Sequence, residues 1–204
     1  MSNKLVPYNN IEQNYNIDRV EQINPVAQTI NNNYYLGDRG NPSRMDSYFR
    51  HLREEIKSHT TRDIIDDLLE YKTKLDGKKD LEEKLTDGGF AKSDIQWALR
   101  KKEQYAKKAT QYECYPSAQE INLLLFADIK VKFDRYIFPL IKEQKSVTVV
   151  MQNTHEIIVE PLMNLINKNG EYDEHLRYTT DHIYGMIYYL TGMCHLNWKD
   201  YDNV

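Results

Sequence analysis

Little in this sequence interrupts a helix or crosslinks a loop: its 204 residues include eight glycines, six prolines and two cysteines. Cys114 and Cys194 are too few for the disulfide framework of a small secreted scaffold. No apolar run reaches the roughly 18 residues a membrane-spanning helix requires; the longest, residues 121–126 and 186–190, are soon broken by charged or polar groups. No apolar segment of the signal-peptide kind follows Met1, so the expected location is the cytoplasm. An excess of positive charge is lacking too. The net charge of −4 argues against a protein whose main task is to coat a phosphate backbone, and confines any nucleic-acid contact to a local patch. No Walker A, GxGxxG or GxSxG segment occurs, which removes P-loop hydrolysis and α/β-hydrolase chemistry from consideration.

What is present favours a mainly α fold. Charged residues make up 28% of the chain and hydrophobic ones 40%, and sixteen tyrosines supply unusually many aromatic rings. The length suits one core with an appendage. The appendage is residues 1–42, rich in Asn and Gln and interrupted by Pro7, Pro25 and Pro42; the helical domain is residues 43–204. Within the arm, IEQNY from Ile11 to Tyr15 is echoed by INNNY from Ile30 to Tyr34. A spacing of four places Ile11 with Tyr15, and Ile30 with Tyr34, on one face of a strand. Two readings stand: a polar tail without structure of its own, or short strands that pair with the same segment of another protomer, since two strands alone are only marginally stable.

From Ser43 the helical period takes over. Met45, Phe49, Leu52 and Ile56 predict a helix capped by Ser43, and Ile64, Leu68 and Leu69 a second that opens at Thr60 or Thr61 and stops near Asp76-Gly77. A short helix over residues 80–85 ends at Gly88-Gly89. Ser93-Asp94-Ile95-Gln96 has the form of a capping box, and so does Ser117 with Glu120, which opens the helix expected to be longest. Pro139 should kink or end that helix. Val147 to Val150 is β-branched and open to a strand, yet the spacing of Val150, Ile157, Ile158, Leu162 and Leu165 favours a helix closing at Asn169-Gly170. A last helix starts near Thr179 and should end at Gly192, with Cys194, Leu196 and Trp198 alternating beyond it as in an extended strand, opposite His195 and Asn197.

Several residue groups invite chemistry. Cys194 and His195 are adjacent but lack the further ligands of a zinc site and the oxyanion-stabilising loop of a nucleophile, which leaves packing as their role. Arg followed by His after four to six residues, the spacing of HEPN-type ribonucleases, occurs as Arg44/His51, Arg53/His59 and Arg177/His182, and marks an alternative function as an RNase. Asp63, Asp66, Asp67 and Glu70 have the composition of a Mg²⁺ site and equally that of a solvated first helical turn. Glu120 with Asp128 and Lys130 has nuclease-like spacing but lies within a helix. Arg100, Lys101, Lys102, Lys107 and Lys108 form a basic stripe, either a solvated face or a contact for DNA or an acidic partner.

Taken together, LREEI at Leu52, YKTKLD at Tyr71, LEEKL at Leu81, ALRKKEQY at Ala98, YPSAQ at Tyr115, FPLI at Phe138 and GMIYYLTGMCHLNW at Gly185 resemble the C-terminal domain of the ABC-three-component systems, over about residues 43–199. These are bacterial conflict systems related to Lamassu. The resemblance implies partner subunits, an SMC or Rad50-like ATPase and effectors, and makes Tyr188, Cys194, His195 and Trp198 a family signature of packing. In many relatives an effector precedes this domain, whereas the 42 polar residues here are too few for an active site of ordinary size. The expectation is a non-enzymatic assembly subunit of an antiphage system, homo-oligomeric, with no cofactor and no metal.

Overall fold

The computed structural model describes residues 43–75, 79–171 and 173–201, all within one compact unit, residues 37–204. The strands expected around Ile11, Tyr15, Ile30 and Tyr34 lie outside the described residues. The elements are α1 (Arg44–Ser58), α2 (Asp66–Lys72), α3 (Leu81–Asp87), α4 (Lys92–Tyr112), α5 (Pro116–Lys132), a π-helical turn (Phe133–Ile137), α6 (Phe138–Lys142), α7 (Val147–Thr154), a second π turn (His155–Val159), α8 (Glu160–Asn169) and α9 (Thr180–Gly192). Among the described residues there is no strand. The protein is mainly α, and Val147 to Val150 is the first turn of α7.

Local sequence explains most helix starts, though not always through the expected residue. Ser43 caps α1, its Oγ accepting from the Asp46 N–H at 3.0 Å, and also donates to the Asn169 side chain at the end of α8. Asp80 and Glu83 close a reciprocal capping box on α3. By contrast α4 begins at Lys92, one residue before the expected cap Ser93, and α5 begins at Pro116, whose fixed φ suits the first helical position. Ser117 therefore does not cap α5. Its N–H and Oγ both donate to the Glu55 carboxylate of α1, at 2.9 and 2.6 Å, so an orphan donor of α5 is satisfied by another helix. The 21 residues of α4 also exceed the 17 of α5, which was expected to be longest.

Helix α2 is shorter than its apolar spacing suggests, because residues 60–65 are irregular. The reason is Gln119, fully buried on α5. Its Oε1 accepts from Ile65 N–H at 3.1 Å and Arg62 Nε at 3.2 Å, while Nε2 donates to the carbonyls of Asp63 at 3.1 Å and Glu113 at 2.7 Å. Backbone groups satisfied by a side chain no longer need a helix.

Pro139 does not end the helical run. It stands two residues after the first π turn, where Phe138 N–H bonds to Phe133 C=O, one residue beyond the α pattern. The turn is wider by a residue, which accommodates the proline ring and its missing donor. Pro161 repeats the arrangement after the second π turn, where Glu160 N–H bonds to His155 C=O.

Two antiparallel helix pairs organise the core. α1 runs along α5, with Glu55 at one end meeting Ser117 at the other. α4 runs along α9, where Trp97 meets Tyr188, Lys101 pairs with Asp181 at 2.6 Å, and Lys108 donates to the Leu176 carbonyl. Gly185 sets how closely α4 and α9 approach. A Cβ there would lie 2.4 Å from Lys101 O and 2.6 Å from Tyr105 Cβ. Between the pairs, Asn122 Oδ1 accepts from both Tyr105 Oη at 3.0 Å and Tyr178 Oη at 2.8 Å, so two buried phenols are satisfied by one amide. Burial holds both tyrosines far above their ordinary pKa, as neutral donors.

Candidate functional site: a terminal clamp and the groove beside it

Helix α9 closes by a Schellman turn. Cys194 N–H bonds to Thr191 C=O at 3.0 Å and His195 N–H to Leu190 C=O at 2.9 Å, with Cys194 in the left-handed conformation at φ 67°. The helix ends at Gly192 as expected, and the segment beyond is not a strand. The expected alternation beyond it is replaced by a turn at Cys194. A left-handed non-glycine residue costs about 1 kcal/mol, offset by what the turn buries, Leu196 and Trp198.

Trp198 is 3% exposed. Its Nε1 donates to Thr191 Oγ1 at 2.9 Å, and its ring stands edge-on to Phe90 and Phe133, each with centroids 5.1 Å away. Tyr188, also buried, lies within 6.4 Å. Gly88 completes the enclosure, since a Cβ on it would sit 2.9 Å from both Cβ and O of Trp198. One side chain thereby ties the turn after α3, the π turn after α5, and α9.

Cys194 and His195 diverge. The Cys194 thiol faces the Lys79 carbonyl at 3.9 Å, whereas His195 is buried against the Tyr71 ring of α2, with centroids 5.3 Å apart. Burial chiefly lowers the His195 pKa, with nearby Lys130 adding to it, against hydrogen bonding at the Thr73 and Glu70 backbone. They share no ligand position, and no group of three or more His, Cys, Asp or Glu side chains suited to a metal occurs among the described residues.

The Arg/His pairs are scattered. Arg44 and His51 are both exposed on α1, two turns apart. Arg53 is half-buried on the same helix, while His59 lies past its end at φ 54°. Arg177 is exposed at φ 43°, and His182 caps α9 by accepting from Thr179 N–H at Nδ1, 3.1 Å away. Burial and the cations Lys108 and Lys101 lower the pKa of His182, with Asp181 opposing. The basic stripe divides as well: Arg100 and Lys107 are exposed, while Lys101 and Lys108 are tied to Asp181 and Leu176 and Lys102 is half-buried. Asp63, Asp66, Asp67 and Glu70 are exposed. Glu120 pairs with Arg62 of the irregular segment at 3.0 Å, while Asp128 with Lys132 at 2.7 Å and Lys130 with Asp134 are ordinary helical pairs four residues apart.

Beside Trp198 opens a groove of about 510 Å³. Its walls are the Gly88-Gly89 turn, the α6–α7 connection and the tail after Trp198. The tryptophan supplies part of the floor, with Phe90, Ile141, Val147 and Val150.

Residues 80–198 match the family described as C-terminal domain 9 of the ABC-three component (ABC-3C) systems. The chain belongs to this family. The ABC-3C segment opens at the capping box of α3 and closes on Trp198, so both halves of the clamp, the Gly88 turn and the tryptophan, lie inside it. Helices α1 and α2 precede the match. No curated protein and no solved structure matches the chain. Gly88, Gly185 and Thr191 went unread in the sequence as members of this ABC-3C core. The Gly88-Gly89 pair signals a helix stop, and nothing local reveals that Trp198, 110 positions later, forbids a side chain at the first of them.

Proposed function

We propose that this ABC-3C chain is a non-enzymatic assembly subunit of an SMC-ATPase-containing antiphage system, which docks the ATPase and effector components and joins copies of itself. What carries the reading is family membership over residues 80–198, together with the use to which the signature residues are put. Cys194, His195 and Trp198 turn and clamp the chain rather than converge on a reacting atom. A rigid helical body of this kind presents surfaces, and its partners act upon it. In the reading, the IEQNY and INNNY segments pair with the same segments of another copy, where main-chain hydrogen bonds give affinity and alternate Ile and Tyr side chains fix the register.

The reading expects an SMC-like ATPase to be encoded beside this chain, and the test is co-expression of the tagged full chain with that ATPase. Co-elution of the two in a fixed ratio supports the reading, and separate elution under gentle salt overturns it. The rival, an RNase of HEPN type, draws on the shared exposed face of Arg44 and His51. It requires that His51→Ala abolish RNA cleavage by a protein of unchanged melting temperature.

A further inference from the structure

The groove beside Trp198 has a chemistry that neither the clamp nor the family membership accounts for. Its volume of about 510 Å³ falls within the range of roughly 300–1,000 Å³ of ligand sites. Its floor is apolar and held rigid, because Trp198 is fixed by Thr191, Phe90 and Phe133. Gly89 adds an exposed stretch of main chain to the wall, at φ 79°, so that another backbone can come close.

The rim is cationic in a chain whose net charge is −4. Lys142 at the end of α6, Lys145 in the following connection and Lys199 in the tail all border the cavity. Asp87 and Asp200 border it too, with Lys199 close enough to Asp87 to help keep its carboxylate charged. Asp87 is already engaged, accepting from Lys79 and from Tyr201 Oη at 3.0 Å, and these two bonds hold its carboxyl below its ordinary pKa. Lys142 lies over the Phe138 ring at 5.1 Å, and Lys145 pairs with Glu143 at 3.4 Å in solvent. Exposed pairings of this strength are exchanged at little cost.

We infer that this groove is the docking site for an acidic segment of a partner protein, one that inserts a large apolar side chain against Trp198 and Val147 and sets carboxylates on Lys142, Lys145 and Lys199. The inference deepens the assembly role proposed above and rests on it. An apolar floor within a charged rim is the anatomy of a small protein–protein interface, in which the buried anchor gives affinity and the rim charge gives selection.

The experiment uses the full chain as bait for a phage-displayed library of random twelve-residue peptides. Enriched sequences should combine Asp or Glu with at least one Leu, Ile, Phe or Trp. Their affinity should fall about tenfold or more, roughly 1.4 kcal/mol, in the triple variant Lys142→Glu, Lys145→Glu, Lys199→Glu, and also in Val147→Arg. Lys142 and Lys145 are exposed and Val147 and Lys199 half-buried, so circular dichroism melts of both variants accompany the binding measurement, and the double variant Lys142→Glu, Lys145→Glu, confined to exposed side chains, should by itself weaken binding measurably. Binding should also weaken as salt rises. The proposal is overturned if nothing is enriched over the triple variant, if the enriched peptides are basic, or if an oligoadenylate binds with the same lysine dependence. It falls alone if the triple variant still co-elutes with every partner component that the parent chain captures. If the parent chain captures no ATPase, the assembly role falls instead, whatever peptides the groove accepts.

Discussion

Trp198 shows how one residue can decide a fold boundary. Its indole fills the space between three elements and its N–H has one partner, Thr191 Oγ1. Trp198→Ala should cost about 3–5 kcal/mol, the range for emptying a large aromatic site. Trp198→Phe keeps most of the packing and should cost about 1–2 kcal/mol, because Thr191 still donates to Ile187 C=O at 2.9 Å. Urea unfolding of the two variants beside the parent checks the order. His195 gives a pH-dependent counterpart. Its pKa is lowered in the folded state, chiefly by burial, so the unfolded chain takes up its proton first as pH falls. The neutral form therefore contributes stability that is present above the unfolded pKa of about 6.5 and lost below it. Stability should decline more steeply between about pH 7 and pH 5 in the parent than in His195→Phe. Equal slopes in urea melts at the two pH values would remove His195 as a cause, and the remaining slope belongs partly to His182, whose pKa is lowered in the same sense.

At the scale of elements, two features control how helices meet. Gly185 lets α9 approach the α4 backbone, and Gly185→Ala places a methyl 2.4 Å from Lys101 O. The helices must separate, which should cost about 3 kcal/mol despite alanine's better helix propensity. A gain in thermal stability in Gly185→Ala would refute the close approach. Pro139 is the converse case, a breaker made harmless. A proline inside a regular helix costs about 3 kcal/mol, but here the π turn already interrupts the α pattern. Pro139→Ala should thus change stability by less than about 1 kcal/mol. A gain near the full helix-interior value would mean that the π turn does not accommodate the ring. The same scale explains Ser117, expected as a cap, which lies in the first turn of α5 and instead receives α1 through Glu55.

For the whole molecule, the question is what the helical unit assembles with. Residues 80–198 place it in the ABC-3C family, and no helix among the described residues is long and apolar enough to cross a membrane. The assembly role predicts that removing residues 1–42 lowers the mass seen by light scattering while leaving the far-ultraviolet helical signal per residue of the rest intact. An unchanged mass would take the arm out of the assembly. Charge belongs to this scale too. The exposed pairs Lys57–Glu54 and Lys145–Glu143 are each worth little, so single reversals there should leave the fold alone.

The sequence by itself determined the mainly α class, the existence and approximate extent of most helices, and the family, because helical period, capping residues and turn residues are written within a few positions of one another. Met45, Phe49 and Leu52 are buried as their spacing requires. Only the tertiary structure decided which polar residues do which work. Gln119 of α5 takes up the backbone groups of residues 62–65, Glu55 replaces a local cap, and Cys194 takes the left-handed position of the turn that carries Trp198 into its slot. The groove brings Lys199 to Lys142 and Lys145, a grouping that no local sequence pattern shows. Each of these depends on contacts between segments distant in the chain, where the preference of a single residue is outweighed by the burial of another.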